Sequence, residues 1–244
     1  MVSAWATDLG VSIGQLATEE KSNEITAVPR LLEMLAIEGA VVTLDAMHCQ
    51  KETARAIRNR DADYVLQVKA NQPTVHDELQ ELFIKYGDAD YRGVRRHATV
   101  EKNHGREERR EYYVAPAPES LSRNWRDVRS VGMVYRCREV KGEESREVSF
   151  FVSSLPPKVR ALAKHVRGHW GVENALHWSL DVTFSEDQSR IRKGHGQEIC
   201  SGLRRLALSI LKQDTTLRES LRGKRLRAGW NNATLQRILS GNAA

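Results

Sequence analysis

The chain has 244 residues, 40% hydrophobic and 29% charged, with 16 Gly and 6 Pro. That balance excludes disordered, collagen-like and low-complexity classes, and no apolar run approaches the ~20 residues of a membrane-spanning helix. Net charge is +6, but residues 1–157 hold 22 basic and 25 acidic side chains whereas residues 158–244 hold 16 and 7. The whole basic excess therefore lies in the last third. It reads either as a field for a polyanion such as DNA or as the solvated face of a basic helical tail. The N-terminal residues show no basic stretch leading into an apolar one, so no signal peptide is visible. Cys49, Cys137 and Cys200 are widely spaced and odd in number. These features predict a cytoplasmic protein with reduced thiols, not a disulfide framework or a zinc ribbon.

Val2–Ala6 and Val11–Ala17, joined by Asp8-Leu9-Gly10, read as a hairpin. Ile25, Val28, Leu31, Leu32 and Leu35 recur at helical spacing after a candidate N-cap at Asn23, with Pro29 expected to kink the helix and Gly39 to close it. Ala40–Leu44 is a near-continuous apolar run, the pattern of a strand buried on both faces. A helix over residues 50–60 and a strand at Tyr64–Val68 complete a βαβ unit. Asn71-Gln72-Pro73 reads as a turn, with Thr74 capping a helix through Tyr86. Residues 94–114 read as two antiparallel strands around Asn103-His104-Gly105, and Val128–Arg138 and Glu147–Ser153 as two more around Lys141-Gly142. Pro156-Pro157 marks a break, after which the pattern is helical over Val159–Val166, Trp170–Trp178 and Ile199–Leu211.

Two places carry candidate chemistry. Asp45 ends a buried strand, where open α/β sheets place their sites; the plainer reading is a helix N-cap or turn residue. His165, His169, Glu173 and His177 recur every four residues and would share one face of a regular helix. Such a stripe suits zinc, although the pattern is not His-Glu-x-x-His, and Gly168 and Gly171 weaken the helix.

Three stretches resemble the DDE transposases of bacterial insertion sequences, in particular the ISAs-type or H-repeat-associated family. The first is Glu20-Lys21-Ser22-Asn23-Glu24-Ile25-Thr26. The second is Val42-Thr43-Leu44-Asp45-Ala46-Met47-His48-Cys49-Gln50-Lys51, continued by Asp63-Tyr64-Val65-Leu66 and Lys69-Ala70-Asn71-Gln72-Pro73. The third runs from His169-Trp170-Gly171-Val172-Glu173-Asn174 through Leu176-His177-Trp178 and Leu180-Asp181-Val182 to Phe184, Glu186-Asp187 and Ser189-Arg190-Ile191-Arg192. His104-Gly105-Arg106 and Arg204-Arg205-Leu206-Ala207 also match.

The resemblance implies an RNase H-like mixed sheet with an antiparallel β insertion and a helical C-terminal part, and metal-dependent DNA cleavage and strand transfer. Such sites hold divalent ions, Mg²⁺ or Mn²⁺, between carboxylates. Hard ions prefer oxygen, which argues against the histidine stripe as the metal site. Asp45 matches the family's second acidic residue and Glu173 its third, with Glu186 and Asp187 as the fallback for the third. Arg167, His169, Lys69, Arg190, Arg192 and Lys193 are the implied DNA contacts. The expected layout is one catalytic domain over residues 1–244: a βαβ part (1–93), the β insertion (94–155) and a basic helical part (156–244).

The departure from the family lies at the front. Its first catalytic aspartate belongs to a strand that would precede Val2, and Asp8, in the hairpin turn, cannot replace it. The expectation is therefore a truncated and catalytically impaired insertion-sequence transposase lacking the first central strand. Two alternatives are an active enzyme whose front the reading frame hides and a non-catalytic DNA-binding or transposition-regulating remnant. Action as a homodimer on paired DNA ends belongs to the same expectation.

Overall fold

A computed structural model describes residues 1–18, 24–103, 106–191 and 193–241. Asn23, His104, Gly105 and Arg192, together with most of the first motif (Glu20–Asn23), fall outside the described residues. In chain order the first elements are β1 (Val2–Ala6), β2 (Val11–Leu16), α1 (Glu24–Glu33), β3 (Val41–Leu44), α2 (Lys51–Arg58), β4 (Asp63–Val68), α3 (Pro73–Asp88), β5 (Arg95–Asn103) and β6 (Arg106–Pro116). There follow α4 (Glu119–Asn124), β7 (Ser130–Val140), β8 (Glu143–Ser153), α5 (Val159–Val172), α6 (Trp178–Phe184), α7 (Gly196–Gln213), α8 (Leu221–Trp230) and α9 (Asn232–Ser240). A π-helical turn, Glu173–His177, joins α5 to α6. No helix among the described residues is long and apolar enough to cross a membrane.

The chain divides into two units, one of Ala36–His169 and one of Met1–Leu35 with Trp170–Ala244. The division falls at His169, within α5.

The Ala36–His169 unit is built on one six-stranded sheet of order β3-β4-β8-β7-β6-β5. β3 and β4 are parallel, and every other neighbouring pair is antiparallel. The expected β insertion is thus a continuation of the βαβ sheet, joined to it where Val65–Val68 pairs with Phe150–Ser153. β4 is buried along most of its length, as its apolar run predicts, but β3 is only half-buried. The expectation of a doubly buried β3 fails because it pairs on one side alone, leaving an edge among the described residues. At α3 the cap also moves: Pro73 opens the helix and Gln72 occupies the cap position predicted for Thr74. Proline fits the first turn because its missing N–H would have no helical partner there. Lys141 and Gly142, both at positive φ, make the β7–β8 turn.

Strand alternation assigns the helices to faces. Phe150 stacks on Phe83 of α3 (centroids 6.0 Å apart), so α3 covers Phe150's face. Gly132 pairs across with Phe151, and so points to the other face. There it meets Leu162 of α5 so closely that a Cβ on Gly132 would stand 2.4 Å from Leu162 Cδ2. Following the register from Gly132 through Phe151 and Gln67 to Val65 and Thr43 puts Thr43 on this same α5 face.

In the second unit β1 and β2 form the predicted hairpin, a separate two-stranded sheet. α1 keeps its helical path through Pro29 and buries Ala27, Val28, Leu31 and Leu32. Gly14 of β2 lies against Leu31 and Leu35, where a Cβ would come within 2.9 Å of Leu35 Cδ2. Ser209 Oγ accepts a hydrogen bond from Ser12 N (3.2 Å), and Gln15 Nε2 donates to Glu198 O (2.7 Å), fastening β2 to α7. Leu176, Leu180 and Leu208 form one apolar cluster and Leu211, Ala228 and Ile238 another. Ser220 and Asn231 cap α8 and α9 through their side chains. Lys224, buried, reaches Asp214 Oδ2 at 3.0 Å. Burial works to raise the Asp214 carboxyl pKa, but hydrogen bonds from Thr216 and Lys224 outweigh it and hold the pKa at about 2.

Two outcomes are expected. Gly132→Ala costs about 1–3 kcal/mol of stability through overpacking, and markedly less in a Leu162→Ala background, measured by denaturant unfolding as a double-mutant cycle. Asp214 is depressed from 3.8 to about 2, so its stabilising contribution is complete above about pH 4 and disappears as pH falls towards 2. Asp214→Asn should lower the melting temperature at pH 7 and flatten the loss of stability between those limits; an unchanged pH–stability curve contradicts the assignment.

Candidate functional site

β3 ends at Leu44, and Asp45 continues in extended backbone (φ −64°, ψ 162°) before a short 3₁₀ turn at Ala46–His48. Asp45 occupies the cap position of that turn, but its side chain makes no capping hydrogen bond. The carboxylate instead faces α5: His169 Nε2 lies 3.1 Å from Asp45 Oδ1. The other ring nitrogen, Nδ1, lies 3.0 Å from Thr43 Oγ1. All three side chains meet on one sheet face because Thr43 and Asp45 are two residues apart in extended chain and α5 lies on that face. His169 follows Leu162 by seven residues, two helical turns, so the helix face that packs Leu162 over Gly132 also presents His169.

Two further residues of the second motif support this end of β3. Asn71 Nδ2 donates to Ala46 O (2.6 Å), and Gln72 Nε2 donates to Cys49 O (3.0 Å), bracing the turn that follows Asp45. Thr43, Asn71 and Gln72 all stand within the matching motifs, but sequence spacing gives no sign of their contacts.

The hydrogen bond from His169 holds the Asp45 carboxyl below its ordinary value; burial opposes this, and the electrostatic influence of His169, Lys69 and His48 adds to the lowering. Asp45 is ionised at neutral pH, its side chain 65% exposed, and among the described residues no hydrogen bond engages Oδ2. An ionised, accessible oxygen donor fits Mg²⁺ or Mn²⁺. No three His, Cys, Asp or Glu side chains converge on a metal position among the described residues. A closed zinc site needs such a group, whereas Mg²⁺ is commonly held by one or two carboxylates with phosphate oxygens and water.

The predicted site residues separate clearly. The π turn Glu173–His177 breaks the four-residue repeat of the histidine stripe. Glu173 opens that turn, and its side chain lies outside what the structure describes. Glu186 Oε1 accepts from Ser201 Oγ and from Arg205 Nη1, both at 2.8 Å, so this fallback carboxylate ties its turn to α7. Asp187 is exposed. Arg167 makes a two-pronged pair with Glu101, Nε to Oε1 at 2.9 Å and Nη2 to Oε2 at 3.0 Å, so its guanidinium is already engaged, on a carboxylate that Arg110 Nη1 shares at 3.1 Å. Both nitrogens of His169 have protein partners. Lys69, Arg190 and Lys193 are exposed.

A family model described as the transposase DDE domain matches residues 1–211. The chain is 36% identical over 246 residues to a protein of Escherichia coli O157:H7 named "Putative transposase YncI", covering 98% of this chain and 63% of that protein. It is also 36% identical over 249 residues to "H repeat-associated putative transposase YhhI" of Escherichia coli (strain K12), covering 99% of this chain and 66% of that one. The chain thus spans about two thirds of the length of these relatives.

The Asp45–His169 contact has a pH signature. Because the folded-state pKa lies below 3.8, the contact stabilises the fold above that pH and is lost as pH falls through the folded value. Carboxyl-carbon NMR should place the Asp45 midpoint below 3.8 in the wild-type chain and move it upward in His169→Ala. An unchanged midpoint in the variant would show that the contact is not formed in solution.

Proposed function

The chain belongs to the DDE transposase family, and from that premise we propose that it serves insertion-sequence transposition by divalent-metal-dependent cleavage and transfer of DNA strands, on an RNase H-like sheet. The observation that carries this reading is Asp45: an ionised carboxylate at the end of a parallel strand, not used as a cap, oriented by an imidazole. When bound, the metal supplies a nucleophile of raised acidity and charge compensation at the leaving oxygen. Asp45 is the carboxylate this chain offers it, and the resemblance assigns Glu173 as a second. The contacts of Glu186 with Ser201 and Arg205 favour Glu173 over Glu186; Asp187 stays in reserve. The two units acting as one catalytic domain, the dimeric form on paired ends and a cytoplasmic location belong to the same proposal.

DNA as partner is supported by the cations left over once paired ones are set aside. Lys69, Arg190 and Lys193 are exposed, and so are Arg218, Arg222 and Arg237 near the end of the chain. In that last segment the acids are already engaged: Asp214 holds Lys224, and Glu219 holds Arg227 at 2.7 Å. Phosphate contacts of this kind position DNA without reading its sequence. The +9 excess of the last third also supports a second reading, a DNA-binding chain impaired in catalysis.

A nicking and strand-joining assay on insertion-sequence ends with Mg²⁺ separates the two. The catalytic reading predicts activity that Asp45→Asn or Glu173→Gln lowers by at least about 10³-fold, while Glu186→Gln is a stability variant with near-normal chemistry. Under the second reading the chain binds DNA and neither cleaves nor joins it. Either way binding weakens with salt, with a log–log slope of about −0.9 per phosphate neutralised. Salt-insensitive binding contradicts both.

A further inference from the structure

We propose that His169, itself held by Thr43, is a positioning residue that fixes the Asp45 carboxylate and reserves its Oδ2 for the divalent cation. The inference rests on the reading of Asp45 as a metal ligand and goes beyond it by giving one carboxylate oxygen to the protein and the other to the ion.

The hydrogen-bond chemistry gives the chain of contacts a direction. An ionised carboxylate only accepts, so His169 Nε2 must carry the proton that meets Asp45 Oδ1 at 3.1 Å. In the neutral ring Nδ1 then holds a lone pair, and the Thr43 hydroxyl donates to it across 3.0 Å. Donors run from Thr43 to His169 to Asp45, and each link fixes the orientation of the next. Without them Asp45, 65% exposed and free of a capping bond, would rotate among its staggered side-chain wells. Thr43 sits on β3 and His169 on α5, so both ends of the device are on regular elements.

Two other roles for His169 fit less well. Direct ligation of the ion would need a ring nitrogen, and both are engaged; a hard ion also prefers oxygen. A phosphate contact would require Nε2 to give up Asp45, the charge-assisted bond of the pair. The family resemblance assigns His169 to DNA, whereas the geometry assigns it to Asp45.

The test is Mn²⁺ binding by the full chain, followed as loss of the free-ion EPR signal, with circular dichroism as a check on folding. Asp45→Asn should abolish binding. His169→Ala should weaken it by about 10–100-fold, the usual effect of losing an outer partner of a ligand. His169→Gln, whose amide nitrogen can stand where Nε2 stood, should recover most of the loss, and Thr43→Val should fall between His169→Ala and wild type. Independently of metal, ¹⁵N NMR should show His169 as the Nε2–H tautomer in wild type and lose that clear preference in Thr43→Val. If Asp45→Asn abolishes binding while folded His169→Ala and His169→Gln bind like wild type, the positioning role is overturned and Asp45 stands. If Asp45→Asn binds like wild type, or the wild-type chain binds no Mn²⁺, the metal reading itself falls.

Discussion

His169 is 126 residues from Thr43 in sequence and 3.0 Å from it in space, and that contact depends on how α5 lies on the sheet. α5 approaches because Gly132 presents no side chain beneath Leu162. With a larger residue in β7 the helix would stand off the face. His169, two turns further along α5, would then be lifted from Thr43 and Asp45. A packing constraint on one strand is thereby converted into the orientation of a carboxylate three strands away across the sheet. The brace from Asn71 and Gln72 to the turn after Asp45 completes the support from the other side. The site end of β3 is therefore fixed by a helix, a strand and a loop of one unit.

The charges of the molecule fall into two classes with different work. Arg167, Arg205 and Lys224 are matched to Glu101, Glu186 and Asp214, and they hold loops, turns and helices in place. Exposed Lys69, Arg190, Lys193, Arg218, Arg222 and Arg237 lack that structural use in any contact described and are the cations left for the proposed phosphate contacts. Counting basic residues merges these classes. Only the pairing separates a stabilising arginine from one available to a phosphate, and here it sets Arg167 apart from the exposed cations.

Much of the fold was legible in the sequence. Helical spacing located α1, α2, α3, α5 and α7, and apolar runs located β3 and β4, because each pattern has a period fixed by local geometry. What could not be read was pairing between distant strands. β4 joins β8 across more than eighty residues, and nothing in the local pattern of either strand names its partner, so how the antiparallel strands attach to the βαβ sheet could not be read. The half-buried state of β3 has the same origin, since an apolar run reports side-chain chemistry and not how many neighbours a strand has. The π turn at Glu173 was hidden because a strict four-residue repeat assumes an unbroken α-helix. Asp45 stood out by position, but its freedom from capping and its link to His169 exist only in three dimensions.

On the proposed function, Asp45 holds a divalent ion at the end of β3. The most direct measurement replaces Mg²⁺ with Fe²⁺ and maps where hydroxyl radicals generated at the bound ion cut the polypeptide. Cleavage is expected to concentrate around Thr43–Met47, to be absent in Asp45→Asn and to be suppressed by excess Mg²⁺. Cleavage centred on His177 or His195 and indifferent to Asp45→Asn would contradict it.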